Sequence, residues 1–590
     1  SHDVRLFGGA YHFQGPGVPD VWGWKVRCEA ELTDSIRTNL SVQDDDLFGT
    51  TVNFWMAFRF PAGRSRHQRR CHQGIRNRFY EPVERLQNVV VQTNPGTPAL
   101  DLTNDEPLFF LHVAAGGNSD GSFEDPYAML EDALTDSRYT GGQADVIYVR
   151  QNPAVRLDPD AGLQHMETVS LVPGTQLLSN GPLQRIATLQ GELLLPFSGV
   201  DPALLRLPKI NAKVKLANNT VLSGFDIEST DKQRTVKGED VSGITIKNNR
   251  INNGKGDANR AAAIGFTRAS GTVNIEGNII NQFKGRGIVF VDSNITEGLV
   301  SDNVIGEDTS SNIEEDNRGV QNPDPNDSPQ RPNFADTRAA IEFKNTFFSG
   351  DIRGNQVNKN TGVGLYVHKT STIEGMISSN AFNKNNRQGI VFDKSNFNGS
   401  IADNDISDSL TGEGVVFVDS TFAGAINHNR INDNAYLGLA FFDTTFDGPV
   451  SISDNILNNN AFVGMAIITS SLQNGIIANN EIVNNTSAGG MFVLTQGESD
   501  DAFDVQIVNN SLIGNNGVSA FDVLVWNTGS GTLDLTLSGN SSTNVVPVGQ
   551  FNFNLLQSGG GTFNVTPNDV DAANDPGTVG SSNGTVDIIP

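Results

Sequence analysis

The sequence predicts an all-β protein: a right-handed parallel β-helix of about 25 residues per coil, preceded by a short antiparallel β segment. Three observations carry this. A glycine before an apolar triplet recurs at Gly364, Gly389, Gly414, Gly438, Gly464 and Gly490, with gaps of 25, 25, 24, 26 and 26. An independent Asn-x-apolar step keeps the same phase at Asn249, Asn278, Asn303, Asn355, Asn380, Asn404, Asn429, Asn455, Asn480 and Asn510. Phenylalanine is in excess, 34 against 7 Tyr, and its positions fall into two columns when the coils are stacked. A unit this short holds three short strands and their turns but no packing helix, and propeller blades need about 40–50 residues.

The first 60 residues follow other rules. Residues 4–13, 22–32, 36–43 and 49–60 read as strands, with apolar alternation in Trp22-Gly-Trp24-Lys-Val26-Arg-Cys28 and Val52-Asn-Phe54-Trp-Met56-Ala-Phe58. Gly15-Pro-Gly17, Thr33-Asp34-Ser35 and Asp44-Asp45-Asp46 separate them. Aromatics gather near the strand ends, as at a membrane interface. Residues 1–100 hold 12 Lys+Arg and 10 Asp+Glu; the totals of 41 and 67 leave 29 and 57 for the remainder.

The stretch VWGWKVRCEAELTDSIRTNLSVQDDDLFGTTVNFWMAFRFP, with RFYEPVERLQNVVV at Arg78–Val91, resembles the end of an inverse-autotransporter barrel, the intimin/invasin-type outer-membrane anchor. The resemblance covers roughly residues 1–92. It implies a barrel of about twelve strands, a displayed passenger, and a location at the outer membrane, the cell surface or outside the cell. Fewer than eight strands cannot close a transmembrane barrel. Either the remaining strands lie upstream of Ser1, or residues 1–60 form a small soluble antiparallel sheet. The chain starts at Ser, which reads as a cut product. Cys28 and Cys71 read as incidental thiols.

Residues 61–105 read as a basic linker, with Arg64, Arg66, Arg69, Arg70, Arg76 and Arg78. In the resemblance this run threads back through the polar lumen; taken alone it is a solvated loop. Residues 106–540 are assigned to the β-helix. Asp120–Leu134, with Pro126 at a first helical turn, predicts a short capping helix before a first strand at 144–149. This opening resembles that of pectate-lyase-like β-helix proteins, where a helix covers the open coil edge. Residues 541–590, rich in Gly, Asn and Thr, read as a last coil and a polar cap or tail.

Stacking the coils predicts interior columns. One holds Phe290, Phe343, Val367, Phe392, Phe417, Phe441, Ile467 and Val493; the other holds Ile295, Phe348, Ile373, Phe397, Phe422, Phe446 and Leu472. The Asn positions form a third ladder, each amide bonding the next.

The same stacking tests for a site. Asp292, Asn345, Lys369, Lys394, Asp419, Asp443 and Thr469 share one position. Asp419 and Asp443 would be neighbours about 5 Å apart at the backbone, a spacing open to a cation or a glycosidase pair. The Ser and Thr that follow them favour turn chemistry. An insertion at 306–338 carries Glu307, Asp308, Glu314, Glu315, Asp316, Asp324, Asp327, Arg318 and Arg331 among Pro323, Pro325, Pro329 and Pro332, with His368 and Lys369 one coil on. It reads as a solvated flap or the wall of a groove. Gly285-Arg286-Gly287 reads as a coil turn. No catalytic residue, metal ligand or cofactor emerges, and Ca²⁺ has no supporting cluster.

A formal charge of −26 argues against nucleic acid as a partner. The function expected is a surface-displayed or secreted β-helix passenger with an adhesive or structural role at the cell surface. Its partners would be a polysaccharide or cell-surface glycan, and the outer membrane through the incomplete barrel. The alternative is a carbohydrate-active enzyme, a lyase or glycoside hydrolase, working in a groove along the helix.

Overall fold

The structure, a computed structural model, describes residues 3–15, 18–33, 36–45, 49–58, 98–102, 104–117, 120–150, 167–229, 234–252, 261–281, 283, 285–306, 332, 334, 338–469, 472, 474–486, 489–496, 502–515, 522–542, 553–567 and 586–588. It comprises two compact units, Ser1–Pro98 and Ala99–Pro590. The second begins inside the stretch expected as linker. The remainder of that basic run and Cys71 lie outside the described residues, as do Glu307 to Arg331 of the insertion.

The first unit is one antiparallel sheet in the order β1 (Asp3–Gly15), β2 (Val18–Thr33), β3 (Ile36–Asp45), β4 (Thr51–Phe58). Its register pairs Leu6 with Cys28, Cys28 with Leu40, and Leu40 with Phe54. Apolar side chains therefore share one face, since alternate residues point the same way.

The second unit is a right-handed parallel β-solenoid. Each coil contributes one strand to each of three sheets. The first sheet has 14 strands and the third has 13; the second runs from Phe110–Ala114 to Val586–Ile588. A representative coil has Val363–His368 in the first sheet, Thr372–Ser378 in the second and Ala381–Asn383 in the third. Strands of the first two sheets continue past residue 540, at Phe553–Gln557 and Thr562–Pro567.

The interior columns stand as the spacing predicts. Phe290 pairs with Phe343, Phe392 with Phe417, and Phe417 with Phe441. Rings stack at 4.5 Å between Phe392 and Phe417 and at 4.9 Å between Phe417 and Phe441. The second column, Phe397, Phe422 and Phe446, meets the first at tilted or edge-on angles. All are buried in one continuous core. Full burial of such a ring stabilises by roughly 1.5–3 kcal/mol, and each ring pair adds about 0.5–1.5 kcal/mol.

Asparagine holds the corners. From Asn249 to Asn540, each Nδ2 donates to the Oδ1 of the ladder Asn one coil on, at 2.9–3.1 Å. The same Oδ1 accepts the backbone N–H of the Asn below, as in Asn404 N to Asn429 Oδ1, 3.0 Å. A second ladder, five residues on, was not in the spacing argument. It links Asn360 to Asn385, and Asn434 through Asn460 and Asn485 to Asn515, which donates to Asp522. It also explains the glycine marker: a Cβ on Gly414 would lie 2.4 Å from Ile431 Cγ2 and 2.9 Å from Asn434 Nδ2.

The capping helix is shorter than expected and starts later. It is α1 (Leu130–Thr135), followed by α2 (Ser137–Thr140). Pro126 precedes it, because Tyr127 is drawn into extended pairing: its N–H donates to His112 O and its carbonyl accepts from Ala114 N, both at 2.9 Å. Leu130, Ala133 and Leu134 join the first-coil residues Leu111 and Ile147 in the main core.

Candidate functional site

Two surfaces carry unusual chemistry, and each belongs to one unit. On the N-terminal sheet the apolar face is the exposed one. Val4, Leu6, Trp22, Trp24, Val26, Leu40, Val52, Phe54, Met56 and Phe58 are exposed, Trp22 and Phe54 each at 63%. The opposite face is mainly polar and knitted together, with Phe7 and Trp55 also on it and exposed. Glu29, only 2% exposed, pairs with Arg37 and with Arg27 at 3.4 Å, and accepts from Asn39 Nδ2 at 3.4 Å. Tyr11 donates to Asp45 at 2.6 Å, and Arg27 sits 4.4 Å above the Phe7 ring. A water-soluble sheet has the reverse arrangement.

On the solenoid, the outer face of the first sheet changes character along its length. Its C-terminal half is apolar: Val391, Val416, Val418, Ala440, Phe442, Ala466 and Phe492 form a second buried cluster. Its N-terminal half carries a connected set of ionisable groups. Glu342, 1% exposed, is held by Arg286 Nε on Oε2 and by His368 Nε2 at 3.1 Å on Oε1. The His368 ring stacks on Tyr366 with centroids 4.1 Å apart, and Tyr366 donates to Asp393 at 3.2 Å. Phe334, from the end of the insertion, packs against Tyr366. Burial alone would push the Glu342 carboxyl up, but the His368 hydrogen bond and the Arg286 guanidinium outweigh it and hold it below the usual carboxylate range. Burial, reinforced by Asp393, pushes the Tyr366 phenol well above its ordinary value.

The sequence-derived candidates are placed as follows. Asp419 and Asp443 do occupy one corner on adjacent coils, and both adopt left-handed backbone, φ 46° and 48°. So do Asp292, Asn345, Lys369 and Lys394. Their shared property is a sharp left-handed corner, which Asp and Asn tolerate readily and which Lys369 and Lys394 also adopt. The hydroxyl after Asp419 takes part in the turn, with Ser420 Oγ donating to Val418 O at 2.8 Å. Thr469 differs again, ending the strand Val463–Thr469. Arg286, read as part of a coil turn, instead opens the strand Arg286–Val291. His368 was noted, but Glu342, Tyr366 and Asp393 were not. Their signal was outward position on the strand whose inward residues were counted. Among the described residues no group of three or more His, Cys, Asp or Glu is placed to hold a metal ion.

Residues 341–486 match the family model described as the right-handed β-helix region. No curated protein matches the chain. The match covers Glu342, Tyr366, His368 and Asp393 and the ladder asparagines from Asn355 to Asn485, and it agrees with the solenoid geometry.

Proposed function

We propose that the chain is a surface-displayed passenger, a β-helix carried by an outer-membrane anchor to which residues 1–58 contribute, and that it works in adhesion or surface structure. One observation carries this reading: the N-terminal sheet exposes a continuous apolar face and gathers its ion pairs around the buried Glu29 on the other. That is the pattern of a strand set with lipid on one side and a polar lumen on the other. Closure requires at least eight strands, so the anchor needs strands beyond these four. The test is lipid reconstitution. Trp22 and Trp24 should be quenched by brominated acyl chains in phosphatidylcholine vesicles. A protein that stays in the aqueous phase with unquenched tryptophan fluorescence overturns the reading.

A second reading, a glycan-processing enzyme, draws on the Glu342, His368, Tyr366 and Asp393 cluster. A general acid needs a raised carboxyl pKa, whereas Glu342 is held low with both oxygens occupied. Its test is a polysaccharide panel scored for new reducing or unsaturated ends. Product formed by the parent chain and abolished in Glu342→Gln would put this reading first.

A further inference from the structure

The N-terminal end of the solenoid carries exposed aromatic rings in an unusual setting. Phe123 and Phe197 are 40% and 65% exposed, and their rings lie nearly parallel, 20° apart with centroids at 6.1 Å. Phe197 adopts φ +61°, a left-handed conformation that costs a bulky residue of order 1–3 kcal/mol. The segment is pinned there by its neighbour: Tyr148 OH donates to Pro196 O at 2.9 Å, and Leu195 packs with Ile186 and Tyr148. Strain is thus accepted to present a ring to solvent.

The surrounding groups are polar and incompletely used. Arg150 lies 4.3 Å from the Phe123 centroid, and its Nη2 donates to Phe123 O at 2.7 Å. His112 meets the Phe123 ring edge-on at 5.4 Å. Arg150 Nε and His112 Nδ1 are both buried without a hydrogen-bond partner, although leaving such atoms unpaired costs about 1–3 kcal/mol each. Burial, aided by Arg150, lowers the His112 pKa to about 4, so the ring is neutral near pH 7.

We propose that this corner binds a pyranose ring of a glycan. The exposed Phe197 ring beside Phe123 suits the C–H face of a sugar, and the sugar's hydroxyls suit the part-exposed Arg150 guanidinium next to it. The site names a partner class for the surface-passenger reading and relies on that reading only for its setting. It is separate from the Glu342 cluster, which lies on another sheet.

The test uses the full chain against a panel of neutral and uronate-containing polysaccharides, with calorimetry on any binder. Phe197→Gly is the informative variant, because glycine accepts φ +61° freely. It should weaken binding about tenfold or more while its unfolding temperature stays level or rises. Phe123→Ala should weaken binding similarly. Neutral against uronate arms distinguish the source of the sugar. A panel without a binder, or a binder retained at parent affinity by Phe197→Gly, overturns the proposal. Vesicle partition is measured separately, so failure of the anchor reading leaves this result interpretable.

Discussion

The two units put their polar and apolar groups in opposite places. In the solenoid, phenylalanines fill the interior and polar corner residues face out, except for the asparagines that bond from coil to coil. In the N-terminal sheet, Glu29 is buried among arginines while Trp22 and Phe54 are exposed. Both are strands with period-2 alternation, so the difference is one of solvent and not of pattern. A solenoid makes its own dry interior by stacking coils. A four-stranded sheet cannot, and its apolar face needs something else to lie against.

Breaking the asparagine ladder should have the largest effect. Asn429→Ala removes the acceptor for Asn404 N and Nδ2 and the donor to Ile401 O and Asn455 Oδ1. At about 1–3 kcal/mol per buried group left unpaired, we expect a loss of roughly 4 kcal/mol or more, read from the denaturation midpoint. Phe417→Ala comes next, at about 3–5 kcal/mol; an unchanged midpoint would mean the column is not packed as described.

A smaller effect is pH-dependent. Asp522 ends the second ladder, accepting from Asn515 and Ser542, and burial raises its pKa to about 6. The raised pKa means that the folded chain holds the proton more tightly than the unfolded one. Stability should therefore be greatest below the unfolded value and fall as pH rises towards 6. Asp522→Asn should stabilise by about 2–3 kcal/mol at pH 8 and by little at pH 3.5. A parallel pH profile for parent and variant would contradict this.

The comparison itself is sharpened by paired changes in the first unit. Glu29→Ala should cost about 1–3 kcal/mol, discounted from a fully buried pair because Arg27 and Arg37 keep partial solvent contact. Phe54→Ser, on the exposed face, should change stability in detergent-free water by less than about 0.5 kcal/mol and reduce vesicle binding. If Phe54→Ser proves the more damaging in water, the exposed face is packed against a protein surface.

Much of this was legible before any coordinates. The gap of 25 between Phe392 and Phe417 is also the register of their strands, because parallel coils stack in phase and a fixed sequence offset becomes a spatial neighbour. The first asparagine ladder was legible for the same reason. The Glu342 cluster was not. Arg286 and Glu342 are 56 residues apart across the insertion, and an irregular offset breaks the rule that made the columns readable. The late start of α1 was equally hidden, since Pro126 and the Ala/Leu pattern favour a helix that the free strand edge at His112 and Ala114 pre-empts.

By itself the sequence determined the coil period, the residues that face inward and the first ladder of asparagines. These follow from repetition, which turns a three-dimensional contact into a one-dimensional count. Only the tertiary structure decided which outward residues meet: Arg286 with Glu342 and His368, Phe123 with Phe197 and Arg150, and Glu29 with two arginines. Those meetings depend on side chains reaching across offsets that occur once, where no periodic signal exists to be read.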